Sequence, residues 1–178
     1  MEEWKIRMAV RADLPTLLAL INSAYRGEVS MQGWTTEAHL IAGEQRTDLP
    51  SLKEVFELPG SYFRVAGDAY GILVACVNLQ QRGEDLYLGM LSVKPDLQNH
   101  GLGKMMLQEA EMMATELGCQ RVIMTVISVR TELIDWYKRH GYVDTGVRLP
   151  FAEDGVSGKH LQPMEFMELA RPVGNRQG

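Results

Sequence analysis

The sequence predicts a mixed α/β fold, in which one mixed sheet carries helices on its faces. Three observations point there. Short apolar or alternating runs, bounded by glycine and polar turns, read as strands. Longer runs repeat apolar residues at helical spacing. The two kinds interleave as strand, helices, three strands, helix, strand, helix, two strands.

Residues 4–10 alternate and form the first predicted strand. Residues 13–25 place Leu14, Leu17, Leu18 and Ile21 at helical spacing. Asp13 is placed to cap this helix, and Pro15 suits its first turn. Residues 26–59 are the least regular. Short helices are expected over 36–42 and 49–58, each after a residue that starts helices, Thr35 or Asp48.

Residues 62–67 and 71–79 read as an antiparallel hairpin, because Gly67 to Gly71 supply turn residues. A third strand follows over 86–93, after a polar turn at 80–84. The next helix, 103–117, has one stripe of Leu102, Met106, Ala110, Met113 and Leu117, and Gly118 is its stop. Residues 121–127 are β-branched and apolar, as in a buried strand. A helix over 130–140 closes at Gly141. Strands over 142–148 and 165–169 complete the set, separated by a loop over 149–163.

The 178 residues suit one domain, taken as 1–172 with a tail at 173–178. The net charge of −5 argues against nucleic-acid binding, which needs a broad basic surface. The acidic start, with no long apolar run anywhere, argues against a signal peptide or membrane anchor. Cys76 and Cys119 lie in apolar runs without metal-ligand spacing, so they read as buried thiols of a cytoplasmic protein, and no metal is expected.

The stretch Val93 to Lys104 raises the question of phosphate binding. It is no Walker loop: Gln98 stands where the first glycine belongs, and Met105 replaces the hydroxyl residue that would hold magnesium. It is no dinucleotide fingerprint either, since Met106 takes the third glycine's place. What remains is a strand, then Gln98-x-x-Gly101-x-Gly103, then a helix. A helix start leaves backbone amides unpaired at its positive end, and two small residues let a diphosphate approach them. Lys104 and His100 add local positive charge.

The pattern Val93-x-Pro95-x-x-Gln98-x-x-Gly101-x-Gly103 resembles the acetyl-CoA signature of the GNAT superfamily of N-acetyltransferases. Downstream, Trp136-Tyr137 followed by Gly141-Tyr142 is similar to a later motif of that family. The resemblance implies a mostly antiparallel sheet of about six to seven strands with helices on both faces. It also implies a splayed parallel pair near 86–93 and 121–127. It implies acetyl-CoA as co-substrate, with the pantetheine arm along Leu91, Ser92 and Val93. The pyrophosphate would then lie on Gln98, Asn99, His100, Gly101, Leu102, Gly103 and Lys104. One departure stands out. Arg130 replaces the asparagine that many members carry seven residues before the motif tyrosine, so Arg130 either takes over a cofactor contact or abandons it.

In the family an amine attacks the thioester directly. Tyr137 occupies the position of the general acid, and a phenol with an ordinary pKa of about 10 keeps its proton at neutral pH. Glu84 is the expected base, with Asp85, Glu28 and Glu37 as further carboxylates. Tyr25, Arg26, Glu28, Trp34 and Thr36 are the expected substrate wall, and Arg26 would favour a carboxylate on the substrate. Lys159 and His160 stand ready to close the site from the late loop. The predicted partner is a small-molecule, amino-acid or peptide amine, with a homodimer through the C-terminal edge strands. The alternative reading is a silent acyl-CoA-binding module; another acyl donor also stays open.

Overall fold

A computed structural model describes residues 3–151 and 153–174. Its first half holds β1 (Lys5–Met8), α1 (Leu14–Tyr25), α2 (Gly27–Ser30), β2 (Ile41–Ala42), α3 (Leu49–Glu57), β3 (Ser61–Gly67) and β4 (Leu73–Arg82). The second half holds β5 (Asp85–Val93), α4 (Leu102–Glu116), β6 (Arg121–Ile127), α5 (Thr131–Arg139), β7 (Val143–Pro150), β8 (Lys159–His160) and β9 (Glu165–Pro172). Most of the expected tail, residues 175–178, lies outside the described residues.

Seven strands form one sheet in the order β1-β3-β4-β5-β6-β9-β7. Every neighbouring pair is antiparallel except β5 and β6. Strand β4 is buried without a break from Leu73 to Leu79, because helices cover both faces of the sheet there. On one face Leu14, Leu17, Leu20 and Ile21 of α1 and Leu52 of α3 pack on Phe63, Val65 and Cys76. On the other, Leu102, Met106, Leu107 and Ala110 of α4 and Ile134 of α5 pack on Ala75, Val77 and Leu79. Both cysteines are buried and free.

Two features of the sheet create a site. First, β5 carries a bulge. Cys76 faces Ser92 and Asn78 faces Gly89, so two residues of β5 oppose Val77 alone, and Met90 takes a left-handed φ of 52°. Second, the parallel pairing of β5 with β6 covers only Asp85, Leu86 and Tyr87, against Arg121, Val122 and Ile123. Beyond that point β6 stays paired with β9 as far as Ile127, while β5 departs. A wedge opens between them.

The N-terminal half differs from expectation in two places. Residues 36–42 form no helix. The amides of Leu40 and Ile41 both close on the Glu37 carbonyl in a single turn, and Ile41–Ala42 then pairs with Lys159–His160 from the late loop. A short helix stands at Gly27–Ser30 instead. Asp13 does not cap α1 either: its carboxylate turns back to the Val10 amide at 2.8 Å and to Arg7 at 2.7 Å. Asp48 does cap α3, accepting from the Ser51 amide at 2.9 Å.

Candidate active site

Between β5 and α4 the chain turns through residues 94–101. Asn99 and Gly101 both adopt left-handed φ, 71° and 83°, and α4 begins at the next residue. Glycine relieves the strain at 101, and a short polar side chain tolerates it at 99. Alternating handedness curls successive amides toward one point, as in anion-binding nests. Among the described residues no amide from Gln98 to Lys104 donates to another backbone group. Gly103 meets a second demand. A side chain there would stand 3.1 Å from the Trp136 ring, so the helix start and α5 lie as close as they can.

This turn forms one end of a cleft of about 290 Å³. Its walls include Leu91 and Val93 of β5, Leu133 and Trp136 of α5, and Trp34 and Thr35 of the N-terminal segment. Gln98 joins those walls. Its buried side-chain oxygen accepts from the amides of Trp34 at 2.8 Å and Thr35 at 3.2 Å. Its nitrogen donates to the Thr35 hydroxyl at 2.7 Å and the Val93 carbonyl at 3.1 Å.

A second recess of about 130 Å³ occupies the wedge itself. It is lined by β5 from Tyr87 to Leu91 and by β6 from Met124 to Ile127, together with Glu37, Arg46 and Arg130. Tyr25, Leu91, Leu133 and Tyr137 line both cavities, so they form the partition between them. The Tyr25 hydroxyl donates to the Leu91 carbonyl. Tyr137 is buried, and desolvation, reinforced by Tyr25 and Tyr142, pushes its hydroxyl well above the ordinary phenol range.

The residues matched by the model of the Acetyltransferase (GNAT) family run from 28 to 142, which spans the turn, the wedge and the partition. The chain belongs to the GNAT acetyltransferase family. None of the curated proteins matches it by sequence. Among solved structures, the ribosomal-protein-alanine N-acetyltransferase of Brucella melitensis superposes with a TM-score of 0.71 at 21% identity, over 95% of this chain and 99% of that one. The ribosomal-protein-S18-alanine N-acetyltransferase of Escherichia coli gives 0.70 at 14% identity, over 99% of each chain. A nourseothricin acetyltransferase gives 0.67 at 20%, over 96% and 99%. Such identities speak for the GNAT fold alone, with its mostly antiparallel sheet and one parallel pair.

Within this GNAT domain the structure gathers most of the residues read as cofactor-binding. Leu91, Val93, Gln98, Asn99, Gly101, Leu102, Gly103 and Lys104 line the larger cleft, with Tyr25 and Trp34 from the expected substrate wall. Others stand elsewhere. The Ser92 side chain is buried and bonds to the Met90 carbonyl. His100 is exposed beside the turn and contacts the Leu97 and Gln98 carbonyls. Arg130 lines the smaller recess, where it donates to Glu37 at 3.0 Å and to the Thr35 carbonyl at 2.7 Å.

Arg26 is spent in the same way. It is buried, pairs with the other Glu37 oxygen and donates to the Ser157 carbonyl at 3.1 Å. Thr36 bonds to Ser30 and faces a separate shallow depression, and Glu28 is exposed on α2. Glu84 lies in the hairpin before β5 at the zipped end of the wedge, about 20 Å of extended strand away from Leu91, beyond hydrogen-bond reach of the partition. His160 packs its ring 4.3 Å from Phe151 and lines neither cavity.

Sequence reading missed Arg46, Tyr87, Thr125 and Leu133. Arg46 lies in an aperiodic connection, so no spacing rule singles it out. Among the described residues no group of three or more His, Cys, Asp or Glu could hold a metal ion, and no helix is long and apolar enough to cross a membrane.

Proposed function

We propose that this acetyltransferase carries an acetyl group from acetyl-CoA to a primary amine while both are bound. One observation carries the reading: two cavities of different character meet at a shared wall that includes Tyr137. The larger begins at unpaired amides on a helix start, which suits a diphosphate. The smaller is lined by charged and hydroxyl side chains, which suits a polar acceptor.

In this reading the amides of Gln98 to Lys104 hold the pyrophosphate, and the edge of β5 at Leu91 and Val93 faces the pantetheine arm. Acetyl-CoA, when bound, supplies the acetyl group as an activated thioester and departs as the free thiol. Tyr137, kept protonated by burial, donates to the departing sulfur. Amides at the wedge, where β5 has left β6, are placed to steady negative charge on the carbonyl oxygen. Both oxygens of Glu37 already accept from arginines, so it orients those cations rather than taking the amine's proton. That proton leaves to solvent through the recess.

The test is thiol release from acetyl-CoA over an amine panel, by the native protein and by Tyr137→Phe. The variant should lose about 100-fold or more in kcat while coenzyme A binding, measured by calorimetry, stays within about twofold. An unchanged kcat removes Tyr137 from the chemistry. Tight acetyl-CoA binding with no turnover of any amine would favour a silent binding module.

A further inference from the structure

We infer that the acceptor recess takes a small amine that also bears a carboxylate, and that Arg46 is the residue that reads the carboxylate. The inference rests on the acetyl-transfer reading above and narrows its substrate.

The argument is a matching of charges inside the recess. Glu37, Arg46 and Arg130 line it. Glu37 is fully engaged, one oxygen by Arg26 and the other by Arg130. Arg26 and Arg130 also reach backbone carbonyls, so both cations are paired with Glu37 within the fold, although among the described residues the Arg26 Nε is buried without a partner. Arg46 is different. Among the described residues its NH1 nitrogen is buried with no hydrogen-bond partner. Its guanidinium carbon stacks 4.3 Å from the centre of the Tyr25 ring. A guanidinium nitrogen buried without a hydrogen-bond partner is costly, and a stacked ring offsets only part of that cost.

The fold nevertheless holds Arg46 in place. Asn22 on α1 accepts from the amides of Arg46 at 2.6 Å and Thr47 at 3.0 Å and donates to the Thr47 carbonyl at 3.1 Å. The guanidinium is thus fixed on Tyr25, one member of the partition, and Arg46 with its planar fork belongs to the lining of the recess. A carboxylate fits that fork. With Arg130 on the same wall and Arg26 behind Glu37, the recess is electropositive and opposes a second ammonium, so a polyamine is a poor match. Its volume of about 130 Å³ suits a small molecule rather than a folded peptide segment.

In the transfer, the amine nitrogen forms a bond to the acetyl carbon and gives up one proton. The carbon–sulfur bond breaks, the sulfur keeps the electron pair and takes a proton from Tyr137, and Tyr137 recovers a proton from solvent to replace the one the amine released there. The carboxylate takes no part and stays on Arg46, which is a specificity residue and not a catalytic one.

The experiment compares matched amines with acetyl-CoA and full-length protein. Glycine, β-alanine, γ-aminobutyrate and a panel of larger α-amino acids are set against the corresponding decarboxylated amines and against spermidine. The carboxylate-bearing member of at least one pair should be preferred in kcat/KM by tenfold or more, expressed through KM. Arg46→Gln should reduce that preference by about 10- to 100-fold, and Arg46→Lys should restore part of it. A thermal-shift titration with the preferred amino acid and no acetyl-CoA gives a second readout. It should raise the melting temperature of the native protein and not that of Arg46→Gln. Turnover that ignores the carboxylate, or a preference that survives Arg46→Gln, overturns this inference alone. Failure of every amine to release thiol overturns the acetyl-transfer reading and this inference with it.

Discussion

Replacing Gln98 by alanine should loosen the N-terminal segment from the turn before α4. Four hydrogen bonds disappear with the side chain: from the Trp34 and Thr35 amides, to the Thr35 hydroxyl, and to the Val93 carbonyl. At about 1 kcal/mol net for each, the ceiling is about 4 kcal/mol. Water from the adjoining cleft can re-pair the Trp34 and Thr35 amides, which lowers the expected loss to about 2–3 kcal/mol. In a domain of this size each kcal/mol moves the melting temperature by about 2–4 °C, so the drop should be about 5–10 °C. Calorimetric melting measures it, and a coenzyme A titration should show weaker binding because Trp34 and Thr35 wall the cleft. Gln98→Glu is the companion variant: it keeps an acceptor for both amides but turns a second oxygen toward the Val93 carbonyl. It should therefore melt below the native protein at neutral pH. A drop of under about 2 °C for Gln98→Ala, with unchanged coenzyme A affinity, would refute the idea that this one side chain joins the two walls.

Glu37→Ala strands two buried guanidinium groups and should cost about 3–5 kcal/mol, read as a fall in the urea midpoint with an unchanged slope. Gly101→Ala meets no atom within 4 Å but must hold a φ of 83°, so it should cost about 1 kcal/mol of backbone strain in a urea titration. Gly103→Ala, by contrast, presses on the Trp136 ring at 3.1 Å and should show chiefly as weakened coenzyme A binding in calorimetry. The raised Tyr137 hydroxyl has a direct consequence for the pH profile. In the proposed role its acid form is the active one, and it persists to higher pH than a free phenol, so kcat should show no alkaline fall below about pH 10. A descending limb centred near pH 8 would contradict its assignment as the acid.

Much of this architecture was legible because it is written in local periods. The strands at 62–67, 86–93 and 121–127 and the helices at 14–25 and 102–116 declare themselves by alternation, β-branching or a continuous apolar stripe. The turn before α4 is also local: its proline, its glycines and the start of the amphipathic helix after it lie within a dozen residues. The smaller recess is not local. Glu37 and Arg130 are 93 residues apart, and no spacing rule joins them. Arg26 is conspicuous in the sequence yet is spent on Glu37, while Arg46, in an aperiodic stretch, stacks on Tyr25 and lines the recess. The expected helix over 36–42 failed for a tertiary reason, since Ile41 and Ala42 find strand partners more than a hundred residues away.

The bulge at Met90 acts as a change of phase along its strand. Leu86 and Leu88 point into the α4 side of the protein on even numbers, and Leu91 and Val93 return to that same interior on odd ones. Met90 faces the opposite layer. Deleting that one residue would therefore do more than shorten the strand. It would restore plain alternation, with Leu91 and Val93 still facing inward, and so erase the bulge and the bend it gives to β5. The wedge depends on an odd residue out of count.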